Sequence, residues 1–129
     1  MNAPYTDKNS IKSLFCRYYI CKGVIFLTHL TGDNYASEVG RADRPVLIDF
    51  FSPTCAPCRA LAPTFETLAA QYGDRYKFCK VDVDAQDDLT ERFRILSVPT
   101  LVLLEDGEVI HRVSGVRSEK ELKRIFDMN

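Results

Sequence analysis

The chain has 129 residues, 46% of them hydrophobic and 27% charged, with a formal net charge of −1. That length and composition suit one domain with its own core, and the balanced charge offers no basic stripe for nucleic acid. Five cysteines, an odd number with no secretory signal ahead of them, argue against a structural disulfide framework and for the cytoplasm.

Residues 1–22 carry Lys8, Lys12, Arg17 and Lys22 against Asp7, so this stretch is basic while the remainder is net acidic. Arg17 and Lys22 divide the stretch from Leu14 to Leu30 into pieces too short for a signal-peptide core or a membrane span. Residues 1–22 are therefore expected to form a flexible or weakly structured extension, dispensable for folding and activity, ahead of one domain at 23–129. Ile11, Leu14, Phe15, Tyr18, Tyr19 and Ile20 include helical steps, which leaves open a short amphipathic helix packed on the domain or on a second copy.

From Val24 the pattern becomes regular. Val24–Leu30 reads as a strand, Asp33–Val39 as a short helix and Pro45–Ser52 as a fully buried central strand. A long helix follows from Cys55 to about Tyr72, with Leu61, Phe65, Leu68 and Tyr72 on one face. Pro63 lies inside it and predicts a kink, because its ring removes a backbone hydrogen bond. Tyr76–Val83 is a third strand, and Asp87–Phe93 is a short helix opened by two acids. Thr100–Leu104 and Glu108–Ser114 flank Glu105-Asp106-Gly107, where the Asp-Gly pair predicts a hairpin. Ser118 caps a last helix with Glu121 three residues on, and Leu122, Ile125 and Phe126 supply its apolar face. This order predicts an α/β fold with a central mixed β-sheet flanked by helices on both faces.

Cys55-Ala56-Pro57-Cys58 falls at the turn from the buried strand into the long helix. A cysteine there meets unsatisfied helix N–H groups and the positive end of the helix dipole, which favour negative charge on sulfur. The thiolate is the reactive form. Cys58, one turn further on, is near enough to close a short disulfide once Cys55 has been oxidised. Arg59 adds a positive charge beside the pair. The alternatives are two packed cysteines or half of a zinc site, with Cys16 and Cys21 as an ill-spaced other half. Asp49 stands among Val46-Leu47-Ile48 and Phe50-Phe51, where burial raises a carboxyl pKa and lets it exchange protons near neutrality. An edge-strand aspartate facing water is the alternative. Cys79 reads as a small buried hydrophobe, Lys80 taken alone as a solvated charge, and His29 and His111 as structural or solvated.

Several segments in order resemble the thioredoxin family from Val24 to the C-terminus: Val46-Leu47-Ile48-Asp49-Phe50 before Cys55-Ala56-Pro57-Cys58, Lys80-Val81-Asp82-Val83-Asp84, Val98-Pro99-Thr100, Gly107 and Gly115. The resemblance implies a thioredoxin fold and a protein-disulfide reductase, with Cys55 as exposed nucleophile and Cys58 as the more buried resolving thiol. It implies that Asp49 is the buried acid serving Cys58 through water, and that Lys80 modulates that acid. It further implies a cis Val98–Pro99 bond presenting the Val98 backbone to an extended client segment. Ser97, Val98, Pro99 and Gly115 then form a docking rim, and Thr54, Ala56 and Pro57 complete the substrate-binding surface. No cofactor or metal is implied. The implied partners are disulfide-containing client proteins and a flavin-dependent thioredoxin reductase that restores the dithiol, in a cytoplasmic monomer serving electron transport and cell redox homeostasis. The chain departs from the family at Ala56, where glycine is usual, and at Thr54 and Phe51, where tryptophan is usual. These changes bear on partner specificity and redox poise rather than on dithiol chemistry. A disulfide isomerase, a reductant dedicated to one client, and a non-catalytic adaptor binding through the Val98-Pro99 rim are the competing functions.

Overall fold

A computed structural model of the chain describes residues 26–128. The expected extension at 1–22, with Cys16 and Cys21, and the expected strand start at Val24 lie outside the described residues.

The elements follow in the order β1 (Thr28–His29), α1 (Tyr35–Gly40), β2 (Val46–Phe51), α2 (Ala56–Tyr72), β3 (Lys77–Asp82), α3 (Asp87–Arg92), β4 (Thr100–Glu105), β5 (Glu108–Ser114) and α4 (Glu119–Ile125). The strands make one five-stranded sheet in the order β1-β3-β2-β4-β5. β1 and β2 run parallel to β3, whereas β4 is antiparallel to both β2 and β5. The expected mixed sheet therefore forms, with β2 at its centre.

β2 reads as an uninterrupted apolar run because both of its faces are covered. Val46, Ile48 and Phe50 enter a core with Tyr35 and Val39 of α1 and Leu89 of α3. Leu47 enters the opposite core with Leu61, Phe65 and Leu68 of α2 and Leu122 of α4. Strand alternation places Asp49 on the face of Leu47, under α2. The register then sets Asp49 beside Lys80 of β3 and Leu101 of β4.

The apolar stripe of α2 is buried as its spacing predicts, and Phe65 meets the Phe78 ring edge-on at 5.3 Å. Each such aromatic or leucine contributes about 1.5–3 kcal/mol through burial. α2 continues through Pro63, whose missing N–H leaves the Arg59 carbonyl without its helical donor. Thr67 Oγ1 donates to the Pro63 carbonyl at 3.0 Å.

β1 is shorter than the sequence suggests. Leu30 N–H still reaches the Lys80 carbonyl at 2.8 Å, but a turn then takes over, with Thr31 N–H donating to Asn34 Oδ1 at 2.7 Å. That turn delays α1 to Tyr35, past the expected Asp33. The hairpin forms where Asp-Gly predicts it: Asp106 and Gly107 have φ of 52° and 81°, the left-handed pair of a tight primed turn. The capping box forms as well, Glu121 N–H donating to Ser118 Oγ at 3.1 Å and Ser118 N–H to Glu121 Oε1 at 3.0 Å.

Candidate active site

β2 delivers the chain to Ser52-Pro53-Thr54, and Cys55 caps α2 in an extended conformation with φ −88° and ψ 117°. Cys55 N–H donates to the Ser52 carbonyl at 3.1 Å, and Cys55 Sγ accepts the Cys58 N–H at 3.2 Å. Sulfur thus occupies the place that a serine or aspartate oxygen takes at other helix starts. The Cys58 N–H, which has no partner within the first helical turn, thereby gains an acceptor. Cys55 is half-exposed, whereas Cys58 is only 4% exposed. Burial pushes the Cys58 thiol up to about 11, the hydrogen bond to Cys55 and the charges of Cys55 and Asp49 push the same way, and a hydrogen bond with the Ser52 backbone opposes them.

Below the helix start, Asp49 is 1% exposed and its Oδ1 has no hydrogen-bond partner among the described residues. Burial pushes this carboxyl up to about 6, against the opposing pull of Lys80. Lys80 Nζ stands 3.8 Å from Asp49 Oδ2, with 13% of its side chain exposed. The same ammonium lies 4.5 Å from the centre of the Phe51 ring. The reading of Lys80 as a solvated charge is corrected by that packing, and the edge-strand alternative for Asp49 by its burial at the centre of the sheet.

Facing the sulfurs is the segment before β4. Val98–Pro99 is cis, and the Val98 carbonyl lies 3.8 Å from Cys55 Sγ. Thr100 Oγ1 donates to the Ser97 carbonyl at 2.8 Å, and Gly115 N–H donates to the Pro99 carbonyl at 2.8 Å, which joins this segment to the end of β5. Gly115 has φ +89°, a conformation that favours glycine. Thr54, Ala56, Pro57 and Ser97 are exposed and Val98 and Gly115 half-buried, while Pro99 is buried. Arg59 Nη1 donates to the Pro53 carbonyl at 3.2 Å, so its charge is engaged over the loop ahead of Cys55. Cys79 is fully buried in the core as expected. His29 packs against Phe51 and His111 against Phe126.

Sequence reasoning passed over Ser52 and Asp84. Ser52 Oγ donates to Asp84 Oδ2 at 2.6 Å. The one signal for it was a hydroxyl residue closing a strand that is apolar but for Asp49.

A half-open thiol and a buried thiol at one helix entrance, above a buried carboxyl, define a thiol-disulfide oxidoreductase. The Thioredoxin family model matches residues 26–128, and the chain belongs to the thioredoxin family. Thioredoxin C-2 of Corynebacterium nephridii is 35% identical over 103 residues, covering 80% of this chain and 95% of the relative. The thioredoxin of Mycolicibacterium smegmatis is 36% identical over 97 residues, covering 74% and 87% respectively. The crystal structure of Malassezia sympodialis thioredoxin (Mala s 13) matches with a TM-score of 0.72 at 30% identity, over 81% of this chain and 91% of that one. The chain is thus an enzyme of dithiol-disulfide exchange, a protein-disulfide reductase. Among the described residues no helix is long and apolar enough to cross a membrane.

Proposed function

We propose that Cys55 is the attacking sulfur and Cys58 the resolving one. The Cys55 thiolate attacks a client disulfide, forms a mixed disulfide and releases the client's other sulfur as a thiolate. Cys58, once deprotonated, attacks Cys55 Sγ, the Cys55–Cys58 disulfide closes, and the second client thiolate leaves. Two electrons pass from the enzyme dithiol to the client bond. The proton on Cys58 is the obstacle, since burial holds that thiol high. Asp49 accepts it through a water, a task suited to a carboxyl pushed up to about 6. Lys80 restrains that upward shift and so keeps Asp49 available as a base.

The client lies extended along the Val98 backbone, against Ser97, Pro99 and Gly115 on one side and Thr54, Ala56 and Pro57 on the other. A flavin-dependent thioredoxin reductase restores the dithiol. The enzyme works as a cytoplasmic monomer in electron transport, with residues 1–22 an extension that catalysis does not need and 23–129 the working domain.

The observation that carries the assignment is the asymmetry of the two sulfurs: Cys55 is half-exposed and accepts the Cys58 N–H, while Cys58 is buried. Trapping tests it. Cys58→Ser is expected to accumulate mixed disulfides with clients and Cys55→Ser to form none. The reverse pattern means that the roles are exchanged.

A further inference from the structure

Ser52 is a point at which the loop leading to both sulfurs is held. Its carbonyl accepts the Cys55 N–H at 3.1 Å, and Cys55 Sγ in turn accepts the Cys58 N–H at 3.2 Å. Its hydroxyl donates to Asp84 Oδ2 at 2.6 Å and lies 3.2 Å from Thr54 Oγ1. A hydroxyl-to-carboxylate bond of that length belongs to the charge-assisted class, stronger than one between neutral groups. Ser52 is 8% exposed, so its hydroxyl is largely removed from water, whereas Asp84 is exposed.

The place of this bond in the sheet gives it a purpose. β2 and β3 pair as far as Phe51 and Asp82, and the Val83 N–H to the Phe51 carbonyl at 2.9 Å extends the backbone pairing past them. Beyond that rung one chain turns into the cysteine loop and the other into α3. Asp84 is itself fixed by its N–H donating to Asp82 Oδ1 at 2.9 Å. The side chains of Ser52 and Asp84 therefore add one more rung, beyond the ladder, on the residue whose carbonyl holds the Cys55 N–H.

We propose that Ser52 and Asp84 are a positioning pair that holds the cysteine loop in the geometry of the resolving step. Neither side chain touches the client, and the pair acts through the Ser52 backbone and through Thr54, whose N–H reaches Ser52 Oγ at 3.4 Å. Resolution needs Cys58 in line with the mixed disulfide, and small displacements of such reacting atoms are costly in rate. The Ser52 backbone also pulls the Cys58 thiol down against its burial, which favours the form that attacks. The first attack, by the more open Cys55, depends less on the pair. The other titratable groups about Cys58 are Cys55 at the start of α2 and Asp49 on β2, with Lys80 of β3 behind Asp49, and changes at Ser52 or Asp84 replace none of them. The inference rests on Cys58 being the resolving thiol.

A single-turnover experiment with an aromatic disulfide that releases a coloured thiol separates the two steps. Full-length protein carrying Cys16→Ser and Cys21→Ser serves as the reference. The first release reports attack by Cys55 and the second reports resolution. Ser52→Ala and Asp84→Ala are expected to slow the second release about tenfold at neutral pH, the lower end for one hydrogen bond to a charged group, with the pH midpoint of that phase moved upward. Asp84→Asn keeps an acceptor for the hydroxyl and restores most of the rate. The double variant Ser52→Ala/Asp84→Ala is no slower than either single one, as for two ends of one interaction. Second releases at the reference rate and midpoint in both alanine variants overturn the pair. So does an Asp84→Asn as slow as Asp84→Ala with an unmoved pH midpoint, which marks a merely structural bond. A second release that persists in Cys58→Ser instead overturns the resolver assignment beneath it.

Discussion

Two lysines leave β3 for opposite faces of the sheet, and each meets a carboxylate. Lys77 Nζ donates to Glu38 Oε1 at 2.6 Å and to the Glu38 carbonyl at 2.8 Å, with 15% and 17% of the two side chains exposed. Lys80 Nζ stops 3.8 Å from Asp49 Oδ2, and Asp49 is 1% exposed with an unpartnered Oδ1. The Lys77 pair fastens α1 to one face with short bonds and partial solvent. The Lys80 pair, under the cysteines, is too long for a hydrogen bond and drier. A tight pair would hold its carboxylate ionised at every pH of interest. A carboxyl that is to exchange protons near neutrality must be left poorly satisfied, and that costs stability.

The largest effect in this comparison comes from removing the charge of the loose pair. Asp49 titrates near 3.8 when unfolded and near 6 when folded. Below the lower value both states hold the proton and the group costs nothing. As pH rises toward 6 the unfolded chain gives up a proton that the folded chain retains, so stability falls, and it levels off above the higher value. The plateau corresponds to about 3 kcal/mol. Asp49→Asn is therefore expected to be more stable than the parent by up to about 3 kcal/mol at neutral pH, with the gain vanishing below about pH 4, in urea titrations across pH. The same variant turns over more slowly at neutral than at alkaline pH, where hydroxide takes the Cys58 proton instead. Equal rates at all pH values would remove Asp49 from the mechanism.

The tight pair predicts the opposite signature. Lys77→Met keeps the apolar stem and removes the Lys77 bonds to Glu38, and it is expected to cost about 2 kcal/mol of stability, the range for hydrogen bonds to charged groups. Disulfide reduction, followed with a protein client, should stay within about twofold, because each 1.4 kcal/mol of barrier changes a rate tenfold and this pair touches neither sulfur. A large loss of activity at unchanged stability would show the two pairs to be coupled along β3.

The contrast between the pairs also marks what was legible in the residues alone. The burial of Asp49 was readable because five apolar neighbours leave a central strand no wet face. The hairpin and the last helix were readable from Asp106-Gly107 and from Ser118 with Glu121, whose local chemistry decides their geometry. Lys80 was not readable as buried without the family resemblance, because its cover is the Phe51 ring on the neighbouring strand. Ser52 and Asp84 escaped for a related reason: they are 32 residues apart, and only the parallel register of β2 with β3 brings them together. Arg59 adjoins Cys58 in sequence, yet its guanidinium bonds to the Pro53 carbonyl. Proximity along the chain says little about where a long, flexible side chain settles. β1 fell short because the side chains of Thr31 and Asn34 give the backbone a turn in place of a longer ladder.

The smallest effect expected is also the sharpest test of what the loose pair is for. Lys80→Met keeps a flexible apolar chain against Phe51 and removes only the ammonium. Lys80 opposes the burial that raises Asp49, so without it the Asp49 midpoint moves above 6 and less of the base is ionised at neutral pH. Turnover should fall at and below neutrality and recover at alkaline pH, so the rate profile shifts to higher pH without losing its upper plateau. Stability changes little at neutral pH, because the worse position of Asp49 is offset by no longer burying an ammonium. The same substitution in the Asp49→Asn background should leave the profile where Asp49→Asn alone puts it, since no carboxyl remains to be tuned. A shift of equal size in both backgrounds would mean that Lys80 acts on Cys58 directly, and the long 3.8 Å contact would then be incidental to catalysis.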